Sequence, residues 1–146
     1  MVVISVTLPY PPSTNHLYRR LRGQLALTPE AREFRHHARL ICASVVDRPI
    51  SDPVAVYLRI YRPRRVGDLD NLLKAVLDAC NGVIWVDDSL VTGIHAQRFE
   101  DARNPRVELT AIPAPTISAT YDALYDHLHQ LQALTDATTS PSDAVG

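Results

Sequence analysis

The sequence has 146 residues, 46% of them hydrophobic, which suffices for one compact domain and excludes wholesale disorder. No apolar run approaches the ~18–20 residues that a membrane helix needs, so no spanning segment is expected. The net charge of −1 hides an asymmetry: residues 1–65 hold eleven arginines against four acidic residues, and residues 66–146 hold four basic against twelve acidic ones. A basic half suits a phosphate backbone, and an acidic site needs a divalent cation before it can approach one. The opposing reading is that the charges mix on the folded surface and cancel.

Val2–Leu8 is β-branched and alternating, which predicts a strand. No positive segment precedes it and Pro9 cuts it short, so it does not read as a signal peptide. Pro9, Pro11 and Pro12 stop the strand. Thr14–Gly23 reads as a polar, aromatic and basic loop. In it, Asn15, Tyr18 and Arg19 suit hydrogen bonding, stacking and phosphate pairing with a nucleic-acid strand. An ordinary surface loop with a packed tyrosine is the alternative. Thr28-Pro29 is a helix start, a capping threonine followed by proline at the first helical position. The helix runs to about Val46, with Phe34, Ala38, Ile41, Cys42 and Val45 on its core face. His36-His37 read as surface residues. Cys42 and Cys80 sit in apolar helical patterns and read as buried thiols of a reducing cytoplasm, not as a disulfide or zinc site.

Val54–Tyr61 alternates strictly and predicts a second strand. Arg62-Pro63-Arg64-Arg65 follows and leads into Gly67–Leu90, the most informative stretch. That stretch opens on Asp68 and Asp70, continues as an amphipathic helix, and ends on Asp87-Asp88. On a helical wheel Leu72, Leu73, Val76, Leu77 and Cys80 oppose Asp70, Asn71, Lys74 and Asp78. Asn81-Gly82 supplies the left-handed C-cap. Asp68 and Asp70 converge if the helix begins at Asp70. Asp87 and Asp88 come one helix and one turn later, so the chain is expected to return them to the same place. Carboxylates so gathered suit Mg²⁺ or Mn²⁺. The plainer alternatives are helix-dipole stabilisation, an Asp70–Lys74 ion pair and a solvated Asp-Asp-Ser turn. Lys74 is the single lysine against fourteen arginines, which suggests that a compact ammonium is needed there. Arg64 and Arg65, beside such a site, would hold the phosphates flanking a scissile bond.

Val91–Phe99 and Arg106–Ile112 predict two more strands around a turn at residues 100–105, close enough for an antiparallel hairpin. The expected order is βαβαββ, an α/β (α+β) sandwich with helices packed on a small mixed sheet. Pro113 and Pro115 break the chain. Tyr121, Leu124, Tyr125, Leu128, Leu131 and Leu134 then mark an extra C-terminal helix at about 120–134, followed by a frayed tail. The expected division is residues 1–112 as one domain and 113–146 as an extension.

The run Arg64-Arg65, Asp68-Leu69-Asp70-Asn71-Leu72-Leu73-Lys74-Ala75, then Trp85-Val86-Asp87-Asp88-Ser89-Leu90, resembles the RusA family of Holliday-junction resolvases. Leu8–Arg19 fits the family's opening pattern, and the resemblance spans roughly residues 2–112. It implies a homodimeric, Mg²⁺-dependent endonuclease that cuts four-way DNA symmetrically in recombination and repair, often encoded by phages or prophages. By position, the resemblance gives Asp68, Asp70 and Asp88 as metal ligands and Lys74 as the catalytic lysine. Its choice of Asp88 over Asp87 rests on the motif alone. One departure stands out: Val66-Gly67 occupies two positions where family members often carry basic residues.

The reading that follows is phosphodiester hydrolysis, with the three aspartates holding the metal and Lys74 stabilising developing negative charge. One rival is a non-catalytic protein that binds branched DNA. Another is a structural domain whose function lies in the C-terminal helix.

Overall fold

The computed structural model describes residues 2–114 and 117–138. Strand β1 (Ile4–Pro9) is followed by a 3₁₀ turn at Thr14–His16 and a hairpin of β2 (Tyr18–Leu21) and β3 (Gln24–Leu27). Then come α1 (Pro29–Val45), β4 (Val54–Arg62), α2 (Asp70–Cys80), a second 3₁₀ turn at Asp88–Leu90, β5 (Val91–Glu100), β6 (Arg106–Pro113) and α3 (Ile117–Thr138). The α+β architecture and the βαβαββ order of the main layers match expectation, and the β2–β3 hairpin is an addition to them.

Thr28 caps α1: its Oγ1 accepts from Ala31 N at 3.2 Å and donates to the His16 carbonyl at 2.7 Å. At the end of α2 it is Gly82 (φ +78°) that takes the left-handed conformation, whereas Asn81 stays at φ −59°.

The main sheet has the order β1-β6-β4-β5; β5 lies parallel to β4 and the other pairings are antiparallel. The expected β5–β6 hairpin is therefore not formed. The five residues between those strands carry the chain past β4, and β6 inserts between β4 and β1. The reason is burial. Val107, Leu109 and Ala111 of β6 and all of β4 except the half-buried Arg59 and Tyr61 are buried, as suits central strands, whereas β5 brings Thr92, His95, Gln97 and Arg98 to an edge.

One face of the sheet is covered by α1 and α2. There Phe34, Ala38 and Cys42 and then Leu72, Val76 and Cys80 pack with Val56, Leu58 and Ile60 of β4 and the fully buried Trp85. The opposite face carries Tyr57, Arg59 and Tyr61, and α3 crosses it. His127 stands edge-on to the Tyr57 ring at 4.8 Å between centroids. A cavity of about 480 Å³ remains between α3 and strands β4 and β5, and no described α3 side chain is fully buried. The helix is longer than the 120–134 expected, and the expected frayed tail from 139 lies outside the described residues.

Candidate active site

The chain reaches the first carboxylates through a pinned loop. Alternation along β4 continues past Ile60 to Arg62, so an arginine occupies a core-facing position and is 5% exposed. Its Nη1 donates to the Gly67 carbonyl at 2.9 Å and its Nη2 pairs with Glu100 at 3.1 Å. Arg65 Nε reaches the same carboxylate at 2.8 Å. These hydrogen bonds, Arg65's foremost, hold the Glu100 carboxyl below its usual range. Gly67 sits at φ +89°, where any side chain would be strained, which accounts for glycine in place of a basic residue.

Asp68 follows at once, and Asp70 begins α2. Both are exposed, and neither side chain has a hydrogen-bond or ion-pair partner among the described residues. Uncompensated carboxylates at the positive end of a helix make a hard oxygen pair. That donor set fits Mg²⁺ or Mn²⁺, which are commonly held by one or two carboxylates together with waters and substrate phosphates. Lys74 lies one turn on, on the same face as Asp70. Its Nζ contacts Asp78 at 3.3 Å, so the ion pair on this helix is Lys74–Asp78 and not Asp70–Lys74.

Asn15 stands next to this site, because Thr14 Oγ1 donates to the Asn71 carbonyl at 2.9 Å. Tyr18 is 40% exposed on β2 and faces α2, and Arg19, next in the strand, points the other way. Arg64 is exposed in the loop. Arg65 is exposed too, but its charge is matched by Glu100.

Asp88 is elsewhere. It lies just before β5, whose start is in register with Val54, the opposite end of β4 from Arg62. The strand between those ends spans about 26 Å and α2 about 15 Å. Trp85, bridged to Asn81 at the end of α2, donates to Asp88 Oδ1, so Asp88 lies at the C-terminal end of α2; the Cys80 thiol there is raised by its hydrogen bond to Cys42 and by burial, and the Asp88 charge adds to that shift. Asp68 and Asp70 are at its N-terminal end. The expected convergence within one chain does not occur, and no group of three potential metal ligands assembles among the described residues. The physical reason is the parallel crossover: β4–α2–β5 returns the chain to the start of the sheet, not to its end.

The adjacent aspartates also separate. Asp88 Oδ1 accepts from the buried Trp85 Nε1 at 2.8 Å. Asp87 caps the 3₁₀ turn, its Oδ2 accepting from Ser89 N at 2.9 Å, and hydrogen bonding to Ser89 lowers its pKa. Three residues without an assigned role thus shape the site: Arg62, Asp78 and Glu100. Of these, Arg62 was detectable as an arginine in core register.

The family described as endodeoxyribonuclease RusA matches residues 9–111. The crossover junction endodeoxyribonuclease RusA of Escherichia coli (strain K12) is 36% identical over 113 residues, covering 75% of this chain and 94% of that one. The enzyme of the same name from Enterobacteria phage 82 is 37% identical over 108 residues, covering 72% and 90%. That from Shigella sonnei (strain Ss046) is 35% identical over 113 residues, covering 75% and 94%. With its Asp68-Leu69-Asp70-Asn71 turn, Lys74 one turn on and a match that runs from the end of β1 into β6, this chain belongs to the RusA family.

Proposed function

We propose that the protein is a metal-dependent endonuclease that resolves four-way DNA junctions by paired cuts, acting in the cytoplasm in recombination and repair. The nuclease unit is residues 1–112, and 113–146 is an extension to it. The observation that carries this reading is the exposed, unpartnered pair Asp68 and Asp70 with Lys74 one turn along the same face, in a chain of this family.

Asp68 and Asp70 hold a divalent cation, Mg²⁺ or Mn²⁺, and fix where the scissile phosphate sits. When bound, the cation supplies charge relief at the phosphate and acidifies a water. Lys74 Nζ, released from Asp78, stabilises negative charge developing on the phosphate oxygens. Arg62, through the Gly67 carbonyl, positions Asp68. Asn15, Tyr18, Arg19 and Arg64 contact the DNA, and Arg65 does so by exchanging Glu100 for phosphate.

Asp88 joins the site from a second copy. Supporting this, β5 is an edge strand of ten residues, Val91–Glu100. Antiparallel pairing of two such edges brings Asp88 of each copy towards the Asp68 end of the other. The resulting homodimer carries two sites related by a two-fold axis, as paired cutting of a two-fold junction requires.

The test is cleavage of a labelled four-way junction against linear duplex, with Mg²⁺ and with EDTA. Paired, metal-dependent nicks are expected, and Asp70→Asn should lower the rate by at least about a hundredfold while still binding the junction. Junction binding with no cutting in either Mg²⁺ or Mn²⁺ would instead favour a non-catalytic branched-DNA-binding protein.

A further inference from the structure

Beyond Lys74 the solvent face of α2 borders an open cleft of about 500 Å³, lined by Tyr18, Arg35, Arg39, Lys74, Asp78 and Asn81. Three cations and one carboxylate line it, and two of the cations contact that carboxylate. Asp78 Oδ2 is 3.3 Å from Lys74 Nζ and 3.7 Å from Arg35 Nη2. Both contacts are longer than the 2.7–2.9 Å usual for charge-assisted hydrogen bonds, so one carboxylate is shared loosely by two half-exposed cations. Arg39 is fixed separately, its Nη1 donating to the Asn81 carbonyl at 2.8 Å. The cleft therefore holds an excess of positive charge and a single aromatic wall, Tyr18.

Its position completes a path. Asp70, Lys74, Asp78 and Asn81 follow one another along one helix face for about 15 Å, so the cleft begins one turn beyond the carboxylate pair on the same face. On the other side of that pair, the loop offers Arg64 with no carboxylate partner among the described residues, Arg65 being matched by Glu100, and Val66-Gly67 adds no charge. Positive charge that the loop lacks is thus found beside α2, on Lys74 and on Arg35 and Arg39 of α1.

We propose that this cleft is a second phosphate subsite for DNA, resting on the nuclease reading above. A backbone phosphate of the strand leaving the Asp68–Asp70 site displaces Asp78 as counter-ion of Arg35, Lys74 being freed for the scissile phosphate, and Tyr18 stacks against the neighbouring nucleotide. Arg35 is the subsite's anchor, and Asp78 is the anion that phosphate replaces.

The test is equilibrium binding of a fluorescent four-way junction by the full chain in EDTA, across a salt series. Arg35→Gln should weaken binding about 3- to 10-fold and flatten the log–log salt slope by about 0.9, one phosphate contact. Arg35→Lys should keep the slope. Asp78→Asn should tighten binding by a similar factor, because it removes the competing carboxylate. A purely structural role predicts the reverse for Asp78→Asn, since both variants would then weaken binding together. If wild-type protein binds and Arg35→Gln leaves the slope unchanged, or Asp78→Asn binds no tighter, the subsite is refuted while the nuclease reading stands. If wild-type protein neither binds the junction in this series nor cleaves it in Mg²⁺, both readings fall.

Discussion

At Asp88 the catalytic task proposed above can be separated from a structural one. Trp85 is fully buried, and its indole N–H has Asp88 Oδ1 as its acceptor at 2.8 Å. A buried donor left without an acceptor costs about 1–3 kcal/mol. Asp88→Ala should therefore lower unfolding free energy by about that much in a urea titration. Asp88→Asn keeps an amide oxygen for the indole, so it should melt close to wild type and still fail to cleave. If Asp88→Asn cleaves normally, Asp88 serves only to hold the tryptophan. Asp87 has no such buried contact, and its oxygen is engaged by Ser89 within the local turn. Neighbours that sequence reasoning could not rank on physical grounds are distinguished once the buried indole is seen.

Helix α2 carries the candidate site, and both its ends are fixed. Its start follows the loop anchored by Arg62, and its end is held by Arg39 of α1, which donates to the Asn81 carbonyl at 2.8 Å and to Ala79 at 3.5 Å. An arginine donating to free carbonyls at a helix C-terminus satisfies acceptors and opposes the negative end of the dipole. Arg39→Met should cost about 1–3 kcal/mol in a thermal or urea melt, with the α1–α2 contact loosened; a change under about 0.5 kcal/mol would show that water replaces the guanidinium without loss. The elements themselves were largely legible, because each face buried in the structure already repeats at 3.6 or 2 residues in the sequence. The β2–β3 hairpin was not: its two-residue turn is Arg22-Gly23 at φ +52° and +78°, and arginine is a poor signal for a left-handed position that asparagine usually fills. Nor was the order of strands legible. Periodicity says which face of β5 is polar, but neighbours are decided by which strands can be buried on both sides. That ordering moved Asp88 away from Asp68 and Asp70, so the carboxylates and the lysine of the candidate site stand out in the chain while their spatial relation does not.

For the whole molecule, the separation of carboxylates along α2 becomes a statement about stoichiometry. One chain carries Asp68, Asp70 and Lys74 at one end of its sheet and Asp88 at the other. In the two-fold dimer proposed above, opposite ends would be paired, so that two complete sites arise from two incomplete sets and each draws on both chains. The arrangement has a consequence that no single-chain site shares. Let Asp70→Asn and Asp88→Asn chains be co-expressed with different tags and the mixed dimer purified through both. If each site is built across the two chains, one site of the mixed dimer contains both substitutions and the other contains neither. The mixed dimer should then nick one strand of a labelled junction at about half the wild-type rate per dimer, without the paired second cut. Each parental homodimer should be inactive, because every site in it has lost one ligand. If the ligands instead come from one chain, every site in the mixed dimer is damaged and no nicking appears. Single-strand nicking by a mixture of two inactive chains would place Asp88 in its partner's site; silence from a well-folded mixed dimer would return it to its own.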